Sequence, residues 1–486
     1  MNRQIRRLGI GMLALFLALF AQLNIVHVFR AESYNDNPNN TRAVTRDFNR
    51  PRGQIVAADG TVLARSEAVE GGQFNRQRVY PEGELFGHIT GYFSFSFGFS
   101  GVEQSYNAEL AGRTAPRIQD LAEHLLERDP TADVTITIPT EVQRVARDGL
   151  GEQRGSVVAL DPRDGSILAL WSFPSYDPTA LSAADQDASR AAREQLLAAP
   201  ENPLLPRAYR ETFFPGSTFK VVTAAAGLAS GAINPQEPDY PRLAEFVPPQ
   251  TNQPIRNFGG ATCGGVLIDI LRVSCNTAFA QLGVEMGAEP LVTTASALGF
   301  NDRPPIDLPA PVASTISPPE FFDDNIPVLA QTAIGQNAVR ATPLQMAMVA
   351  GAIANGGTVM APHVMAEVVN DDGEVIDRYR PSVWRTAMTP EVAATVTEAM
   401  VAVVADGTAG GLAVPGVTTA GKTGTAQIGN DLSHAWIIGF APAEAPRVAV
   451  AVIVEAREGA SEQTGGRVAA PIARAVLAAA LEARPS

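Results

Sequence analysis

The chain has 486 residues, 45% of them hydrophobic and 18% charged, which excludes a disordered polymer and leaves room for two or three packed domains. Its 37 basic and 51 acidic side chains give a formal net charge of −14 and a pI near 4.9, so it lacks the basic surface that a nucleic-acid partner requires. Among the basic residues only Lys220 and Lys422 are lysine. Arginine keeps its proton in proteins, and its planar fork replaces a compact amine poorly. In an arginine-rich background the two lysines are therefore candidates for ammonium chemistry.

In chain order, Arg3, Arg6 and Arg7 precede a run over residues 8–29 that is almost wholly apolar through Ala21. About 20 apolar residues in a helix span a bilayer, and arginines on the short leading side keep the N-terminus cytoplasmic. The expectation is a cytoplasmic stub over 1–7, a single-pass membrane anchor over 8–29 and an extracytoplasmic remainder. A cleaved signal peptide is the alternative, but no small-x-small site closes the run. Residues 30–46 are polar and turn-rich, a tether. Asp59-Gly60 between the runs 53–58 and 61–65 predicts a hairpin. Helical spacing over 115–128 and alternation over 133–138 complete a small α/β pedestal, so residues 30–150 read as linker and pedestal, without a cluster of convergent reactive groups.

Residues 151–486 read as a second, larger domain. A hairpin over 156–170 opens it, with the turn Asp161-Pro162-Arg163-Asp164-Gly165. Ala-rich helical patterns follow, one of them entered through a Thr342 N-cap and Pro343. Strands over 417–427, 435–440 and 448–454 and a helix over 468–482 close the chain. Strands at both ends with helices between them predict an α+β unit around one antiparallel sheet. Cys263 and Cys275 are the only cysteines, and an even count in an exported chain permits one disulfide. The bond would close a loop of about 13 residues, worth about 3 kcal/mol in the chain-entropy model. A pair of buried thiols is the alternative.

Three short motifs carry chemistry. In Pro215-Gly216-Ser217-Thr218-Phe219-Lys220, at the start of an Ala/Val-rich helix, the Ser217 hydroxyl and Lys220 amine lie three residues apart on one face. A desolvated amine can take a serine's proton, and the helix start offers unpaired N–H groups to a developing oxyanion. Ser274-Cys275-Asn276 sits in a polar break before a helix. Gly421-Lys422-Thr423-Gly424-Thr425 lies on a predicted strand, whose alternation sends Lys422 and Gly424 to one face and Thr423 and Thr425 to the other. A glycine there allows another backbone to come close, so a peptide substrate could lie along the strand. Each motif alone is weak. Together, in order and about 57 and 148 residues apart, they use the only two lysines.

This set resembles the penicillin-recognising serine enzymes, whose Ser-x-x-Lys, Ser-x-Asn and Lys-Thr-Gly motifs occur in the same order. The resemblance extends over nearly the whole chain. It is closest to the monofunctional class B penicillin-binding proteins, of the short actinobacterial PbpA type. Further support comes from Arg52-Gly53 through Asp59-Gly60, Gly101-Val102-Glu103, Ile334-Gly335-Gln336, Thr342-Pro343-Leu344-Gln345 and His434-Ala435-Trp436-Ile437-Ile438-Gly439. The resemblance implies a penicillin-binding transpeptidase fold, with an antiparallel sheet of about five strands flanked by helices and an all-helical subdomain. It also implies peptidoglycan D,D-transpeptidase activity in cell-wall synthesis and division, by way of a serine acyl-enzyme formed at D-Ala-D-Ala. Ser217 would be the nucleophile and Lys220 its base. Ser274 would relay a proton, aided by Lys422; Asn276 would hold the substrate amide, Thr423 and Thr425 would bind the terminal carboxylate, and Gly424 would belong to the same substrate-binding strand. No cofactor or metal is implied. The implied partners are stem peptides, β-lactams as covalent inhibitors, a membrane glycosyltransferase and other cell-wall or division proteins.

Other readings compete with this one. A β-lactamase or D,D-carboxypeptidase shares the motifs. In class A β-lactamases, however, a glutamate about 30 residues after Ser-x-Asn serves deacylation, whereas residues 303–319 hold only Asp307 as an acid. A catalytically dispensable division scaffold or a β-lactam-binding receptor would need the fold without the chemistry. His27, His88, His124, His363 and His434 are scattered without metal-ligand spacing, and His434 reads as packing. Asp323-Asp324 reads as solvated loop.

Overall fold

Two sheets organise the chain. The computed structural model describes residues 2–24, 48–70, 74–112, 131–429, 432–457 and 464–483. Eleven strands of these sheets are numbered in chain order. They are β1 (Ile55–Val56), β2 (Val62–Ala68), β3 (Arg76–Val79), β4 (Ala132–Ile136), β5 (Gly155–Leu160), β6 (Ile167–Phe173), β7 (Met365–Asn370), β8 (Val375–Arg378), β9 (Ala420–Gly429), β10 (Leu432–Ala441) and β11 (Val448–Val454).

The larger domain is built on a five-stranded sheet of order β9-β10-β11-β5-β6, antiparallel throughout. The first two and last three strands in sequence close one sheet, as the pattern of early and late strands requires. Every residue of β5 and β11 is buried, so both faces of the sheet are covered and the unbroken apolar run of β11 is accounted for. Helices Ala469–Ala483 and Thr140–Leu150 pack on one another and on the sheet, and Pro343–Ala354 packs on it separately. Thr342 caps the last of these by accepting from the Gln345 N–H at 3.0 Å, with Pro343 at its first position. Between β6 and β9 lie the helices that carry the remaining motifs.

The pedestal is a second sheet of order β8-β7-β4-β1-β2-β3. The expected hairpin at Asp59-Gly60 joins β1 and β2, and Gly60 takes the left-handed φ of +84° that such a turn needs. Two of the six strands come from far outside residues 30–150. The hairpin β7-β8 leaves the larger domain and pairs antiparallel with β4, Met365 opposite Ile136 and Asn370 opposite Ala132. Conversely, helix Thr140–Leu150 packs on the five-stranded sheet of the larger domain, with Ile472 of the C-terminal helix against Gly149. The boundary expected near residue 150 is thus crossed in both directions, because strand pairing is set by free sheet edges and not by nearness in sequence.

The N-terminal helix spans Asn2–Asn24 and is the one helix among the described residues long and apolar enough to cross a membrane. It starts at Asn2, not at residue 8, so Arg3, Arg6 and Arg7 belong to it. Nothing in residues 2–7 breaks a helix, and arginine and glutamine are good helix formers. Residues 25–29 of the expected anchor, the 30–46 tether and the expected helix over 115–128 lie outside the described residues.

Glu103 is fully buried at the heart of the pedestal and receives Arg52 Nε at 2.7 Å, Arg78 Nε at 2.6 Å and the Tyr80 hydroxyl at 3.2 Å. Burial alone would raise its carboxyl, but the two guanidiniums outweigh that and hold it below the usual range. Replacing Glu103 by glutamine strands two buried cations, and we expect a loss of about 3–5 kcal/mol in a urea melt. Because the Glu103 value is lowered on folding, its contribution is complete above the ordinary glutamate range. It is lost as pH falls through the lowered value, which acid titration of wild type against Glu103→Gln measures.

Candidate active site

A cleft of about 1540 Å³ opens beside β9, lined among others by Ser217, Ser274, Asn276, Thr423 and Thr425. Stretches of chain far apart in sequence meet there. Ser217 stands in the short 3₁₀ turn Gly216–Phe219 that leads into helix Lys220–Ser230. Gly216 carries a φ of +55°, and its N–H donates to the Gly335 carbonyl at 2.9 Å. The Ser217 side chain is half-buried and has no hydrogen-bond partner among the described residues, so its hydroxyl is free to meet a ligand.

Lys220 and Lys422 are both fully buried. Lys220 Nζ donates to the Ser274 carbonyl at 2.7 Å and to Asn276 Oδ1 at 2.6 Å, and it lies 3.3 Å from Ser274 Oγ. Lys422 Nζ donates to the same Ser274 Oγ at 2.8 Å and to the Thr423 carbonyl at 2.9 Å. Burial and the neighbouring Lys422 ammonium push Lys220 well below an ordinary lysine. Burial brings Lys422 down to about 7. Two amines sharing one oxygen in a dry site cannot both stay charged, so a neutral amine is available near pH 7.

Ser274, Cys275 and Asn276 form the bend into helix Asn276–Met286, and Ser274 holds a left-handed φ of +59°. Cys263 and Cys275 are disulfide-bonded, the first of the two states the cysteine pair permits, which ties the motif to the strand Cys263–Gly265 on the cleft wall. The alternation of β9 holds. Lys422 is buried under the strand, while Thr423 and Thr425 line the cleft. Gly424 does not line it. A Cβ on Gly424 would sit 3.0 Å from the Pro215 carbonyl, Thr218 Cγ2 and Trp436 Cβ. The backbone that approaches this glycine's face is the protein's own turn before helix Lys220–Ser230.

Two contributors carried no sequence signal. Thr408 Oγ1 lies 2.6 Å from Thr423 Oγ1 and aligns that hydroxyl at the cleft edge. Asn257 reaches the Ser-x-Asn bend from a neighbouring strand end. Both are single polar residues in loops, a context that marks no position. His434 accepts from the Ala456 N–H at 2.9 Å and stands edge-on to Phe213, a packing role. Asp307 lies at the junction of the two sheets, where it accepts from the Val364 and Met365 N–H groups at 2.7 and 2.9 Å and from the Tyr106 hydroxyl at 2.6 Å. It is absent from the cleft lining, so the one acid in the stretch where class A β-lactamases keep their deacylating glutamate is occupied elsewhere.

Comparison with known proteins agrees with this geometry. A model of the penicillin-binding protein transpeptidase domain matches residues 155–478. The chain belongs to this family. A second model, the penicillin-binding protein A dimerisation domain, matches residues 52–133 of the pedestal. The peptidoglycan D,D-transpeptidase PbpA of Mycolicibacterium smegmatis is 40% identical over 99% of both chains. That of Mycobacterium tuberculosis is 40% identical over the whole of both. The ceftriaxone acyl-enzyme structure of penicillin-binding protein A from M. tuberculosis superposes with a TM-score of 0.82 at 39% identity, covering 90% of this chain and all of the other. A D,D-transpeptidase domain from Eggerthella lenta gives a TM-score of 0.77 at 34% identity, covering 90% of this chain and 99% of that one. The class B, PbpA-type resemblance is therefore borne out, and with it the fold, while the single apolar N-terminal helix fits a membrane-anchored protein.

Gly335 sets a steric condition on the turn that carries Ser217. A Cβ there would lie 2.0 Å from the Gly216 carbonyl oxygen, and its φ of +82° disfavours a side chain. Gly335→Ala must move the turn that carries Ser217. We expect the second-order rate of acylation by penicillin to fall by roughly 100-fold, read by fluorescent-penicillin labelling of the folded variant, since a displacement of about 1 Å costs that much.

Proposed function

We propose that Ser217 is the nucleophile with which this peptidoglycan D,D-transpeptidase attacks the D-Ala-D-Ala bond of a stem peptide, with Lys220 as its general base. The observation that carries the assignment is the sharing of one hydroxyl, Ser274 Oγ, by the only two lysines of the chain beside the unpartnered Ser217. A neutral Lys220 has two N–H groups and one lone pair. The two short contacts, to the Ser274 carbonyl and Asn276 Oδ1, use both protons and leave the lone pair for a hydroxyl proton.

In the acylation half, Ser217 Oγ bonds to the scissile carbonyl carbon as its proton passes to Lys220. Ser274 then gives its own proton to the departing D-Ala nitrogen and is reprotonated from Lys220, so the amide C–N bond breaks with the leaving amine neutral. In the second half an amine of a neighbouring stem attacks the acyl carbon, loses a proton by the same route in reverse, and Ser217 regains its hydrogen. Lys422, hydrogen-bonded to Ser274 Oγ, keeps that hydroxyl oriented and acidic enough to relay. Asn276 holds the substrate amide, and Thr423 and Thr425 take the terminal carboxylate. The backbone N–H groups of Ser217 and Thr425 receive the oxyanion, a reading supported by the packing of the Gly216 turn against the Thr425 carbonyl. β-Lactams acylate the same Ser217 oxygen.

We further propose that Arg3, Arg6 and Arg7 keep the N-terminus cytoplasmic and the catalytic domain outside, and that the anchor and pedestal contact a membrane glycosyltransferase that supplies the glycan strand. Removing residues 1–50 is expected to abolish co-purification with such a polymerase. Retention of the polymerase by the truncated chain overturns the anchor's part in this contact.

Intact mass after penicillin treatment tests the nucleophile. One adduct is expected on the wild type and none on Ser217→Ala or Lys220→Arg; an adduct persisting on the alanine variant would mean another nucleophile. The acylation rate should also rise with pH as Lys220 loses its proton. Because burial lowers that lysine, the rate is expected to level off well below the value of about 10.4 at which an ordinary lysine deprotonates.

A further inference from the structure

The bend that carries Ser274 and Asn276 has an unusual helix start. Helix Asn276–Met286 begins at an N-cap, Cys275, that provides no side-chain acceptor for the first N–H groups. Those groups need a partner, since a helix leaves its first N–H groups unbonded. The partner comes from another part of the chain. Asn257, 6% exposed and lining the cleft just past strand Ile255–Arg256, accepts from the Asn276 N–H at 2.9 Å and the Thr277 N–H at 3.1 Å through its Oδ1. Its Nδ2 donates to the Leu243 carbonyl at 2.8 Å and the Ala261 carbonyl at 2.9 Å. Both protons and both lone-pair directions of one carboxamide are thereby used, each on a different residue.

We propose that Asn257 is a positioning residue for the transpeptidase reaction, an external cap that fixes the Ser274–Asn276 bend against the two lysines. The proposal rests on the roles given to Ser217, Lys220 and Ser274 above. The Asn276 side chain links the cap to the base, with Nδ2 donating to the Arg256 carbonyl at 2.9 Å and Oδ1 accepting from Lys220 Nζ at 2.6 Å. Ser274, one residue before the disulfide-bonded Cys275, holds a backbone conformation that non-glycine residues rarely adopt. Such a bend persists only if its surroundings determine it. With the cap lost, the N–H groups of Asn276 and Thr277 seek water, the bend moves outward, and Lys220 loses two of its short contacts together with part of its burial.

Asn257→Ala is the direct test, with Asn257→Asp as a second variant that keeps an acceptor oxygen for both N–H groups. The second-order rate of acylation by a fluorescent penicillin should fall by roughly 10- to 100-fold in the alanine variant, with the aspartate variant between it and wild type. The acid limb of the rate profile should move to higher pH in Asn257→Ala, because a better-solvated Lys220 holds its proton more firmly. Lys422 is the charged group facing Lys220 in both proteins. A lower melting temperature with an unchanged rate and pH profile would reduce Asn257 to a structural residue and overturn the proposal. The wild-type amides of Asn276 and Thr277 should exchange slowly with solvent, and exchange at the rate of open amides overturns it even if neither variant folds. A wild-type adduct combined with unimpaired acylation of Asn257→Ala sinks the cap alone, whereas absence of a Ser217 adduct on the wild type sinks the parent reading.

Discussion

Two fully buried amines placed around one hydroxyl form the arrangement on which the rest of this protein depends. Lys422 at 2.8 Å and Lys220 at 3.3 Å from Ser274 Oγ would repel one another strongly if both were charged. Desolvation acts in the same direction, so the pair resolves the conflict by giving up a proton near neutral pH. A lysine that is a poor base in water thus becomes a usable one without any acidic partner. The scarcity of lysine elsewhere in the chain fits this use: arginine, which keeps its proton even when buried, supplies the structural cations, as at Arg52 and Arg78 around Glu103.

Burying both amines requires close packing from several directions. Gly424 lets β9 press against the turn that carries Ser217, and Gly335 lets a second loop press against Gly216 from another side. Trp436, fully buried on β10 directly opposite Gly424, donates to the Phe214 carbonyl at 3.1 Å and fixes the approach to that turn. Each of these contacts acts on the position of a few backbone atoms around Ser217. The glycines here serve proximity between parts of the same chain, and the threonines on either side of Gly424 line the cleft.

Much of this was legible before any coordinates. The paucity of lysine and the order of the three motifs marked Ser217, Lys220, Ser274, Asn276, Lys422, Thr423 and Thr425, and the family resemblance those motifs carry grouped them as one site. The hairpins at Asp59-Gly60 and Asp161–Gly165 were legible because turn residues act within a few positions. What escaped was non-local. Asn257 and Thr408 act on residues 20 and 15 positions away, through contacts that a loop sequence does not encode. Gly424 was legible as a site of close approach, but not what would approach it. The pairing of β7 with β4 spans more than two hundred residues, and neither strand carries a mark of its partner.

That long-range pairing has a consequence for how the molecule is made. Synthesis runs from the N-terminus, so β1, β2, β3 and β4 emerge early, while the edge of β4 that β7 will cover stays open until most of the chain exists. An open strand edge is a template for pairing with a neighbouring molecule. The nascent pedestal therefore depends on protection from other chains during biogenesis, and a truncated product ending before residue 365 would be expected to self-associate. In the finished protein the two domains share strands, so a push on the pedestal is transmitted to the catalytic body through backbone hydrogen bonds and not through a loose joint.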